Sequence, residues 1–466
     1  MLIQNAKGKI SPARNTDPAK ELENAKYILA RNVIRDLDER KTLINNNIIV
    51  AGSSGSFKTS RFVEPNLQRA EGNYVISDPK GSLIKKYYWL FKEKGYDVIQ
   101  VDFQDPATSM HWNPLTQITC TQDIMKIASA LCLDKINGRT TIDPYWDRMA
   151  LLLICALIAY IIETGYKPCS FRGILNLLRE GDRRERVSGV GSNRIRNPKA
   201  SALSDRFEEH YRKHPDSWAY EQFKNVDAAP DKTFDTIRSV LVSKFSNYST
   251  KEIDEMTSSN DIDFSELSEK KTIIFVIQSD HDRAMDGLVN LFFSQAIDGF
   301  IKSADTYPNQ RLPIPVRFFL DDYGATTVID NLDAMISTIR SRGISVVLIL
   351  QSEAQLLKAG YGENKTIISN CDTYIYTGGN DIETARAVST RCNKPLQQVL
   401  YMPVGYCWVF TRGSKPVFTQ LADRQEVPER YEMLSVPATK KPEMKPYTSY
   451  DPLDEFMDLC NLADIP

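Results

Sequence analysis

A short segment of the chain has the residue types and spacing of a phosphate-binding loop. It follows an apolar run typical of a strand, precedes a stretch typical of a helix, and reads Gly52-Ser53-Ser54-Gly55-Ser56-Phe57-Lys58-Thr59. Small residues let backbone N–H groups turn inward around a β-phosphate, and a helix N-terminus adds favourable partial charge. Lys58 would contact the β- and γ-phosphates, and the Thr59 hydroxyl would bind Mg²⁺. The segment predicts a site for ATP and Mg²⁺; the alternative is a serine-rich turn with an incidental lysine.

Phe57 departs from the usual pattern of such loops, G-x-x-x-x-G-K-[ST], because it occupies the position of the second glycine. If that position needs a positive φ angle, a phenylalanine there is strained. If the local backbone is already helical, Phe57 is tolerated and its ring packs outward. Phe57 therefore leaves the efficiency of ATP hydrolysis open.

Two acidic residues, Asp321 and Asp322, end the apolar run VRFFLDD. The carboxyl ends of parallel strands are where open α/β sheets bind ligands. Asp321 would hold Mg²⁺ directly or through water, and Asp322 would orient and deprotonate an attacking water. Glutamate is commoner in the second role, and the shorter aspartate could lower the rate. The alternative is a simple acidic turn after a buried strand, which the phosphate-binding loop upstream makes less favoured.

Further polar groups flank the next predicted strand. Gln351 ends the apolar run ISVVLILQ and would face the γ-phosphate as a sensor. Arg340 and Arg342 precede this strand, and either could reach the nucleotide of a neighbouring subunit as an arginine finger. The alternative for both arginines is a favourable interaction with the dipole at the C-terminal end of their helix.

Short apolar runs alternate with helical stretches on either side of a long helical region, which predicts an α/β fold with a mainly parallel sheet. Besides the two runs above, the predicted strands are NNIIVAG, YVISD, DVIQVDF, KTIIFVIQ and DTYIYTG. A helix is predicted around Ala19–Asp36. The predicted order is an N-terminal segment at 1–40, a discontinuous nucleotide-binding domain at 41–116 and 266–426, an all-α insertion at 117–265 and a tail at 427–466.

Composition argues against several other classes of protein. The 466 residues carry a net charge of −2, which disfavours a simple DNA coat protein but not a motor whose DNA contacts lie in one channel. The eight cysteines form no C-x-x-C pair and the four histidines do not cluster with them, so no zinc site is predicted. The longest uncharged apolar run, Met149–Ile162, is shorter than the roughly 20 residues that span a bilayer. We interpret it as a buried core helix.

Three other features each allow a functional and a structural interpretation. Arg179–Lys199 holds seven basic and three acidic residues, and is either a loop that contacts DNA or DNA-bound proteins or a solvated charged loop. Asp78-Pro79-Lys80 follows a predicted strand, and is either close to the nucleotide or pore or a simple turn. Tyr145 and Trp146 precede the long apolar helix, where packing is favoured over ligand binding.

In this order the motifs resemble those of the type IV secretion coupling proteins, the ATPases of conjugal DNA transfer. The likeness covers roughly residues 30–425, and its most specific parts are TIRSRGISVVLILQSEAQL and IISNCDTYIYTGGNDIETA. The other matching stretches are NNNIIVAGSSGSFKTSRFVEPNL, SDPKGSL, HWNPL, DPYWDRMALLLICALI and FFLDDYG.

The resemblance implies a RecA-like nucleotide-binding domain, interrupted by an all-α domain and assembled as a homo-hexamer around a channel. Such a ring would use ATP hydrolysis to recruit relaxase-bound single-stranded DNA to the proteins of a type IV secretion channel, at the cytoplasmic face of the membrane. By position, Lys58 and Thr59 correspond to the Walker A pair, Asp321 to the Walker B aspartate, Asp322 to the catalytic acid, Gln351 to the sensor and Arg340 to the arginine finger.

Family members usually begin with a membrane-anchoring pair of helices, and residues 1–40 contain no such apolar segment. We therefore expect membrane association through partners, with a separate membrane-anchor subunit as one possibility. The main alternative to a motor is a nucleotide-binding adaptor that docks transfer substrates with weak or lost hydrolysis, because Phe57 and Asp322 depart from the usual pattern. The SNCDT block and the helical insertion argue against a third hypothesis, a DNA pump of the chromosome-segregation type.

Overall fold

A computed structural model describes residues 25–132, 144–181, 187–188, 195–196, 201–279, 281–325, 327–329, 331–358, 365–425 and 436. Its strands are β1 (Lys26–Ala30), β2 (Val33–Asp36), β3 (Ile48–Ala51), β4 (Asn73–Asp78), β5 (Asp97–Asp102), β6 (Val187–Ser188), β7 (Ile195–Arg196), β8 (Thr272–Ile277), β9 (Val316–Leu320), β10 (Ile344–Leu350), β11 (Thr373–Tyr376), β12 (Tyr406–Thr411) and β13 (Val417–Gln420).

The helices within the described residues are α1 (Glu39–Thr42), α2 (Glu64–Arg69), α3 (Ser82–Glu93), α4 (Thr121–Cys132), α5 (Pro144–Thr164), α6 (Phe171–Glu180), α7 (Ala202–Lys213), α8 (Trp218–Asp227), α9 (Asp231–Phe245), α10 (Lys251–Ser258), α11 (Phe264–Ser268), α12 (Asp286–Asp305), α13 (Leu332–Met335), α14 (Ala354–Lys358), α15 (Lys365–Ser369), α16 (Ile382–Cys392) and α17 (Leu396–Leu400). Short 3₁₀ turns lie at Pro106–Thr108, Pro114–Gln117, Ser246–Tyr248 and Ile339–Arg342, and a π-helical turn lies at Thr59–Val63.

A nine-stranded sheet, in the order β13-β12-β11-β3-β10-β9-β4-β8-β5, forms the centre of the fold. The seven strands from β11 to β5 are parallel, and β12 and β13 extend the sheet in antiparallel fashion. Strand β10 lies between β3, which precedes the phosphate-binding loop, and β9, which precedes Asp321. The carboxyl ends of these three strands therefore meet at one edge of the sheet, which we call the carboxyl edge; the opposite one is the amino edge.

The central strands are apolar on both faces. Every residue of β3, β4, β8, β9 and β10 is buried, as expected for parallel strands that are covered on both sides. Helices α2 and α3 contribute to the core on one face, and α12 together with the helical insertion contributes to the core on the other. The predicted α/β fold with a mainly parallel sheet is confirmed.

The predicted helix at Ala19–Asp36 is wrong over the residues that the structure describes. Strands β1 and β2 form an antiparallel hairpin, whose turn places Asn32 at a φ of +61°. Tyr27 and Leu29 are buried against the sheet, because alternate residues of a strand point to the same face. Residues 19–24 lie outside the described part of the chain.

The antiparallel extension of the sheet was not among the predicted strands. In β12, Tyr406, Trp408 and Phe410 alternate with Cys407 and Val409, which are buried on the other side. Alternation of this kind is the signal of a strand that is covered differently on its two faces. The same signal in the sequence would have predicted β12.

Over its described residues, the region predicted as an all-α insertion contains helices α4 to α10, and the two-residue strands β6 and β7 depart from that prediction. In its long helix α5, every residue from Leu153 to Ile161 is at most 7% exposed. The interpretation of Met149–Ile162 as a buried core helix is therefore confirmed over Leu153–Ile161, whereas Ile162 is 41% exposed. Among the described residues, α5 also has the length and apolar character of a membrane span. Of its most apolar 18-residue stretch, 56% is buried within the fold.

The insertion and the sheet share one apolar core. Trp112, from the HWNPL stretch, is fully buried and packs edge-on against Phe292, with ring centres 5.2 Å apart. Phe264, at the end of the insertion, packs edge-on against the same Phe292 ring at 6.1 Å. Lys302 of α12 donates a hydrogen bond to Asp123 of α4 at 2.9 Å. The apolar core continues across the predicted boundaries at 117 and 265, so packing does not mark a division between domains there. Those boundaries stay predictions. The tail beyond residue 426, except residue 436, and most of the basic stretch at 179–199 lie outside the described residues.

Candidate nucleotide-binding site

Strand β3 delivers the loop Gly52–Thr59 to the carboxyl edge, next to the turn that follows β11. The Ser53 N–H donates to the Gly378 carbonyl at 2.9 Å. The Thr377 hydroxyl donates to Ser56 Oγ at 2.8 Å. The loop is therefore held from the β11 side, while its opposite side faces β10 and β9.

Two glycines of the loop are needed for different reasons. A Cβ atom on Gly52 would lie 1.9 Å from Thr377 Oγ1, so any side chain there would displace the turn that supports the loop. Gly55 has open space around it but a φ of +78°, a conformation that side chains disfavour. The loop then continues into the π-helical turn Thr59–Val63, so the helix N-terminus points back toward it.

Lys58 lies inside the loop that precedes it. Its Nζ donates to the Gly52 carbonyl at 2.5 Å and to the Ser53 carbonyl at 2.9 Å, and the residue is only 7% exposed. Burial lowers the pKa of Lys58 below its ordinary value, whereas the negative charges of Asp322 and Asp321 oppose the shift. Lys58 therefore interacts electrostatically with both acids at this edge of the sheet.

Thr59 and Asp321 meet although 262 positions separate them in the chain. The Thr59 hydroxyl donates to Asp321 Oδ2 at 2.7 Å, and the Asp322 N–H donates to Asp321 Oδ1 at 3.0 Å. Burial raises the pKa of Asp321 to about 6; the hydrogen bond from Thr59 opposes this rise, and the charge of Asp322 adds to it. A hydroxyl and a carboxylate that converge at the end of a phosphate-binding loop are the oxygen donors that Mg²⁺ prefers.

Asp322 and Gln351 form the next pair along the carboxyl edge. Gln351 Nε2 donates to Asp322 Oδ1 at 3.2 Å, and the Gln351 N–H donates to Gln355 Oε1 at 2.7 Å. Asp322 has a φ of +51°, a region in which aspartate and asparagine are several-fold enriched among non-glycine residues. This backbone conformation gives a physical reason for aspartate, rather than the longer glutamate, at this position.

Phe57 combines the two alternatives that its sequence position left open. Its φ is +63°, so the second-glycine position does need the left-handed conformation and a phenylalanine there is strained. The ring nevertheless points outward: it is 43% exposed, and the Arg61 guanidinium carbon lies 5.0 Å from its centre. The ring therefore flanks the loop instead of filling it, and the strain is in the backbone.

We expect Phe57→Gly to be more stable than Phe57→Ala by about 1 kcal/mol, because glycine adopts a positive φ without the penalty that a Cβ atom imposes. Both variants lose the contact with Arg61, so the comparison isolates the backbone. The free energy of unfolding by urea measures the difference. Equal stability of the two variants would contradict stored strain at this position.

The two candidate arginines lie at the amino edge, in the 3₁₀ turn before β10. Arg340 Nε is 3.8 Å from Glu39 Oε2, and Arg342 Nε donates to Asp305 Oδ1 at 2.9 Å. Neither joins Lys58 and the acids within this chain. An arginine finger from this turn would have to act on a second subunit. Arg342 also donates to the Thr338 carbonyl at 3.3 Å, which favours the helix-end interpretation for that residue.

Asp78 has a structural role in this fold. Its carboxylate accepts hydrogen bonds from the backbone N–H groups of Ser82 and Ile84, each at 3.0 Å, and the residue is 1% exposed. Burial raises the pKa of Asp78, and these backbone hydrogen bonds oppose the shift. It therefore caps α3, while Lys80 remains exposed on the turn.

The block IISNCDT supports β3 from the amino edge and does not contact the loop. The Asn370 carbonyl accepts hydrogen bonds from the side chains of Asn45 at 3.0 Å and Asn47 at 3.1 Å. Asp372 Oδ2 accepts from the Asn45 N–H at 2.6 Å. The block and the asparagines before β3 therefore fix one another.

Sequence reasoning missed three residues that shape the site, namely Thr377, Gly378 and Gln355. The first two follow β11 in the run YIYTGG, and a threonine with a glycine pair directly after a predicted parallel strand was an available signal. Gln355 lies in the QSEAQL stretch, but only the fold shows that it bonds to the backbone of Gln351.

The residues of the loop and the two strand ends fit a magnesium-bound nucleoside triphosphate. The fit rests on the hydrogen bond between Thr59 and Asp321 and on the buried charge of Lys58. Within the described residues no cluster of three or more histidine, cysteine, aspartate or glutamate side chains could hold a metal ion by itself. A cation at this site would therefore share its ligands with phosphate and water, as Mg²⁺ usually does.

A model of the protein family described as Type IV secretory system Conjugative DNA transfer matches residues 15–395. The chain belongs to this family. The resemblance seen in the motifs is thus confirmed over most of the sequence, and the chain is a coupling protein of conjugative DNA transfer.

Solved structures of a coupling protein share the fold. The bacterial conjugative coupling protein TrwBΔN70 in complex with sulphate is 17% identical, with a TM-score of 0.64 over 90% of this chain and 94% of that chain. TrwB in complex with the non-hydrolysable ATP analogue ADPNP is 16% identical, with a TM-score of 0.62 over 89% and 92% of the two chains. TrwB in complex with ADP and Mg²⁺ is 15% identical, with a TM-score of 0.62 over 90% and 94%.

At these identities the likeness establishes the coupling protein fold and not the role of individual residues. Comparison with the curated protein sequences finds no significant match. The roles of the loop, the acids, Gln351 and Arg340 therefore stay proposals, argued from the chemistry and geometry of these residues.

Proposed function

We propose that this coupling protein is an ATP-driven motor that moves single-stranded DNA into a conjugative secretion channel. The observation that carries the proposal is the hydrogen bond from Thr59 to Asp321 at 2.7 Å beside the buried Lys58. P-loop motors use this combination of lysine, hydroxyl and strand-end aspartate to hold a triphosphate with Mg²⁺. The TrwB complexes with ADPNP and with ADP and Mg²⁺ support the choice of nucleotide.

Each side chain of the site has a role that follows from its position. Lys58 neutralises the β- and γ-phosphates, and Thr59 and Asp321 hold the metal ion. Asp322, positioned by its hydrogen bond with Gln351, orients a water molecule and accepts its proton. Bound Mg²⁺–ATP supplies the phosphoryl group and the metal charge that stabilises its transfer.

The position of Arg340 supports a ring in which each subunit completes the nucleotide-binding site of its neighbour. It lies at the amino edge, its side chain is 41% exposed, and its 3.8 Å contact with Glu39 leaves it at the surface. A homo-hexamer, the assembly implied by the family resemblance, would bring the amino edge of one subunit toward the carboxyl edge of the next. In other systems an arginine finger is worth about 10³–10⁵ in rate.

The partners proposed for this motor follow from its family. Conjugative transfer requires relaxase-bound single-stranded DNA as substrate, and the proteins of a type IV secretion channel receive that substrate. We propose that the chain works at the cytoplasmic face of the membrane, with its attachment supplied by channel proteins or by a separate membrane-anchor subunit.

A second candidate function is a nucleotide-binding adaptor that docks transfer substrates without efficient hydrolysis. Two departures from the usual pattern favour it: Phe57 occupies the position of the second glycine, with a φ of +63°, and Asp322 stands where glutamate is commoner. The outward position of the ring favours the motor, since the loop remains open to phosphates.

The rate of phosphate release from ATP, measured with and without single-stranded DNA, separates the motor from the adaptor. A motor turns over ATP faster when DNA is added, and an adaptor binds ATP with no DNA-stimulated turnover. Displacement of streptavidin from the biotinylated end of a single-stranded DNA reports translocation in the same samples. Turnover that persists unchanged in Lys58→Ala would be contamination and would count against the motor.

A further inference from the structure

The link between α17 and β12 carries the two most exposed large apolar side chains among the described residues. Tyr401 is 80% exposed and Val404 is 78% exposed. Exposure of a single apolar side chain is ordinary, but two of this extent within four residues call for a physical reason. The link is ordered by hydrogen bonds at both ends: the Tyr401 N–H donates to the Gln397 carbonyl at 2.9 Å, and the Tyr406 N–H donates to the Pro403 carbonyl at 3.2 Å.

This link lies at the carboxyl edge, beside the phosphate-binding loop. Strand β12 is antiparallel to β11, so its first residue is at the same edge as the end of β11. The contacts form a chain: a Cβ atom on Gly378 would lie 3.2 Å from Met402 Cε, and the Gly378 carbonyl accepts the Ser53 N–H at 2.9 Å. A Cβ atom on Gly379 would lie 3.1 Å from Ser53 N. The two glycines leave a low surface, without side chains, between the loop and Met402.

The layout of the sheet gives the direction in which a nucleotide would lie. Asp321, Asp322 and Gln351 are all on the β9 and β10 side of β3, so the terminal phosphate and its metal ion belong on that side. The nucleoside then extends to the other side of β3, over the end of β11 and toward the start of β12. With neighbouring strands about 4.8 Å apart, the start of β12 is about 10 Å from β3.

We infer that Tyr401, with Val404 and Met402 beside it, forms the platform on which the nucleotide base stacks. The inference rests on the proposed nucleotide-binding function and extends it to a second part of the same ligand. The link from Leu400 to Gly405 reads LYMPVG and has no charged side chain. A platform of this composition recognises the apolar face of a base and not its edge, so adenine and guanine nucleotides should bind with similar affinity.

Binding measurements with and without the base test the platform. Equilibrium dialysis with labelled ATP gives its dissociation constant, and competition gives the constants for GTP and for inorganic tripolyphosphate. We expect Tyr401→Ala to weaken ATP and GTP by about tenfold, the size of one base–aromatic stack. Tripolyphosphate should bind as tightly as to the wild type, and Tyr401→Phe, which keeps the ring, should bind ATP normally.

A covalent readout is independent of affinity. Photolysis of bound 8-azido-ATP should label the peptide that contains Tyr401, because the azide is on the base; labelling of a different segment would overturn the inference. So would wild-type ATP binding by Tyr401→Ala, or an equal loss of ATP and tripolyphosphate binding. Lys58→Ala separates the proposed phosphate site from the proposed base platform. If Lys58→Ala binds neither ATP nor tripolyphosphate while Tyr401→Ala binds both normally, the phosphate site is supported and the platform is wrong.

Discussion

Lys58→Ala should lower ATP turnover by at least about 10²–10³-fold, the loss seen when one preorganised donor to the transition state is removed. The physical reason is that Lys58 is the cation of the loop and is buried beside the position that the phosphates would take. In a shielded site its charge counts for more than it would in water. We also expect nucleotide binding to weaken, since the lysine contacts the ground-state phosphates as well.

Lys58→Arg is the matched variant, because it keeps the charge but cannot place a compact ammonium group inside the loop. We expect it to recover part of the nucleotide binding and little of the turnover. A phosphate-release assay and equilibrium dialysis on the same preparations give both quantities. Circular dichroism shows whether each variant keeps the fold. Wild-type turnover by a correctly folded Lys58→Ala protein would contradict the motor hypothesis and favour the adaptor hypothesis.

Asp322→Asn should lower ATP turnover by about 10²–10⁴-fold while nucleotide binding stays close to that of the wild type. The amide has the same size as the carboxylate and tolerates the φ of +51° equally well, but it cannot accept the proton of the attacking water. Asp321→Asn is the contrasting variant: we expect it to weaken Mg²⁺-dependent nucleotide binding, because Asp321 is the carboxylate bonded to Thr59.

Asp322→Glu tests why the chain departs from the commoner residue. Glutamate has no special tolerance for a positive φ, so we expect a loss of stability of about 1 kcal/mol or more and no gain in turnover. Single-turnover kinetics with Mg²⁺–ATP separate the chemical step from binding. An unchanged chemical step in Asp322→Asn would assign the general base to another group, and a faster chemical step in Asp322→Glu would contradict the conformational reason for aspartate at this position.

The strands and the phosphate-binding loop could be predicted from the sequence because their signals are local. The runs that became β3, β9 and β10 are apolar at every position, and a parallel sheet with both faces covered requires this. The loop was recognisable because the chemistry of phosphate binding restricts which residues may precede the lysine and follow it. The helix predicted over β1 was wrong, because the burial of β1 depends on what covers each of its faces. The alternation in β12 was an available local signal that the prediction did not use.

The sequence analysis predicts that Asp321 and Asp322 bind the same ligand as the loop, although a long stretch of sequence separates them from it. The local pattern gives a strand that ends in two acids, and the fold adds that β9 and β3 flank the same strand and end at the same edge. That arrangement produces the hydrogen bond between Thr59 and Asp321. No short spacing pattern could supply it, because 262 positions separate the two residues.

The sequence by itself determined the family and the α/β class, and it supplied the residues proposed to bind a triphosphate and a metal ion, since these depend on residue type and local pattern. Only the tertiary structure decided that Phe57 has a positive φ with its ring outside, that Arg340 is at the far edge from Lys58, and that Thr377 and Gly378 support the loop. The physical reason is that backbone angles at a turn and the neighbours of a strand are set by packing between segments distant in the chain.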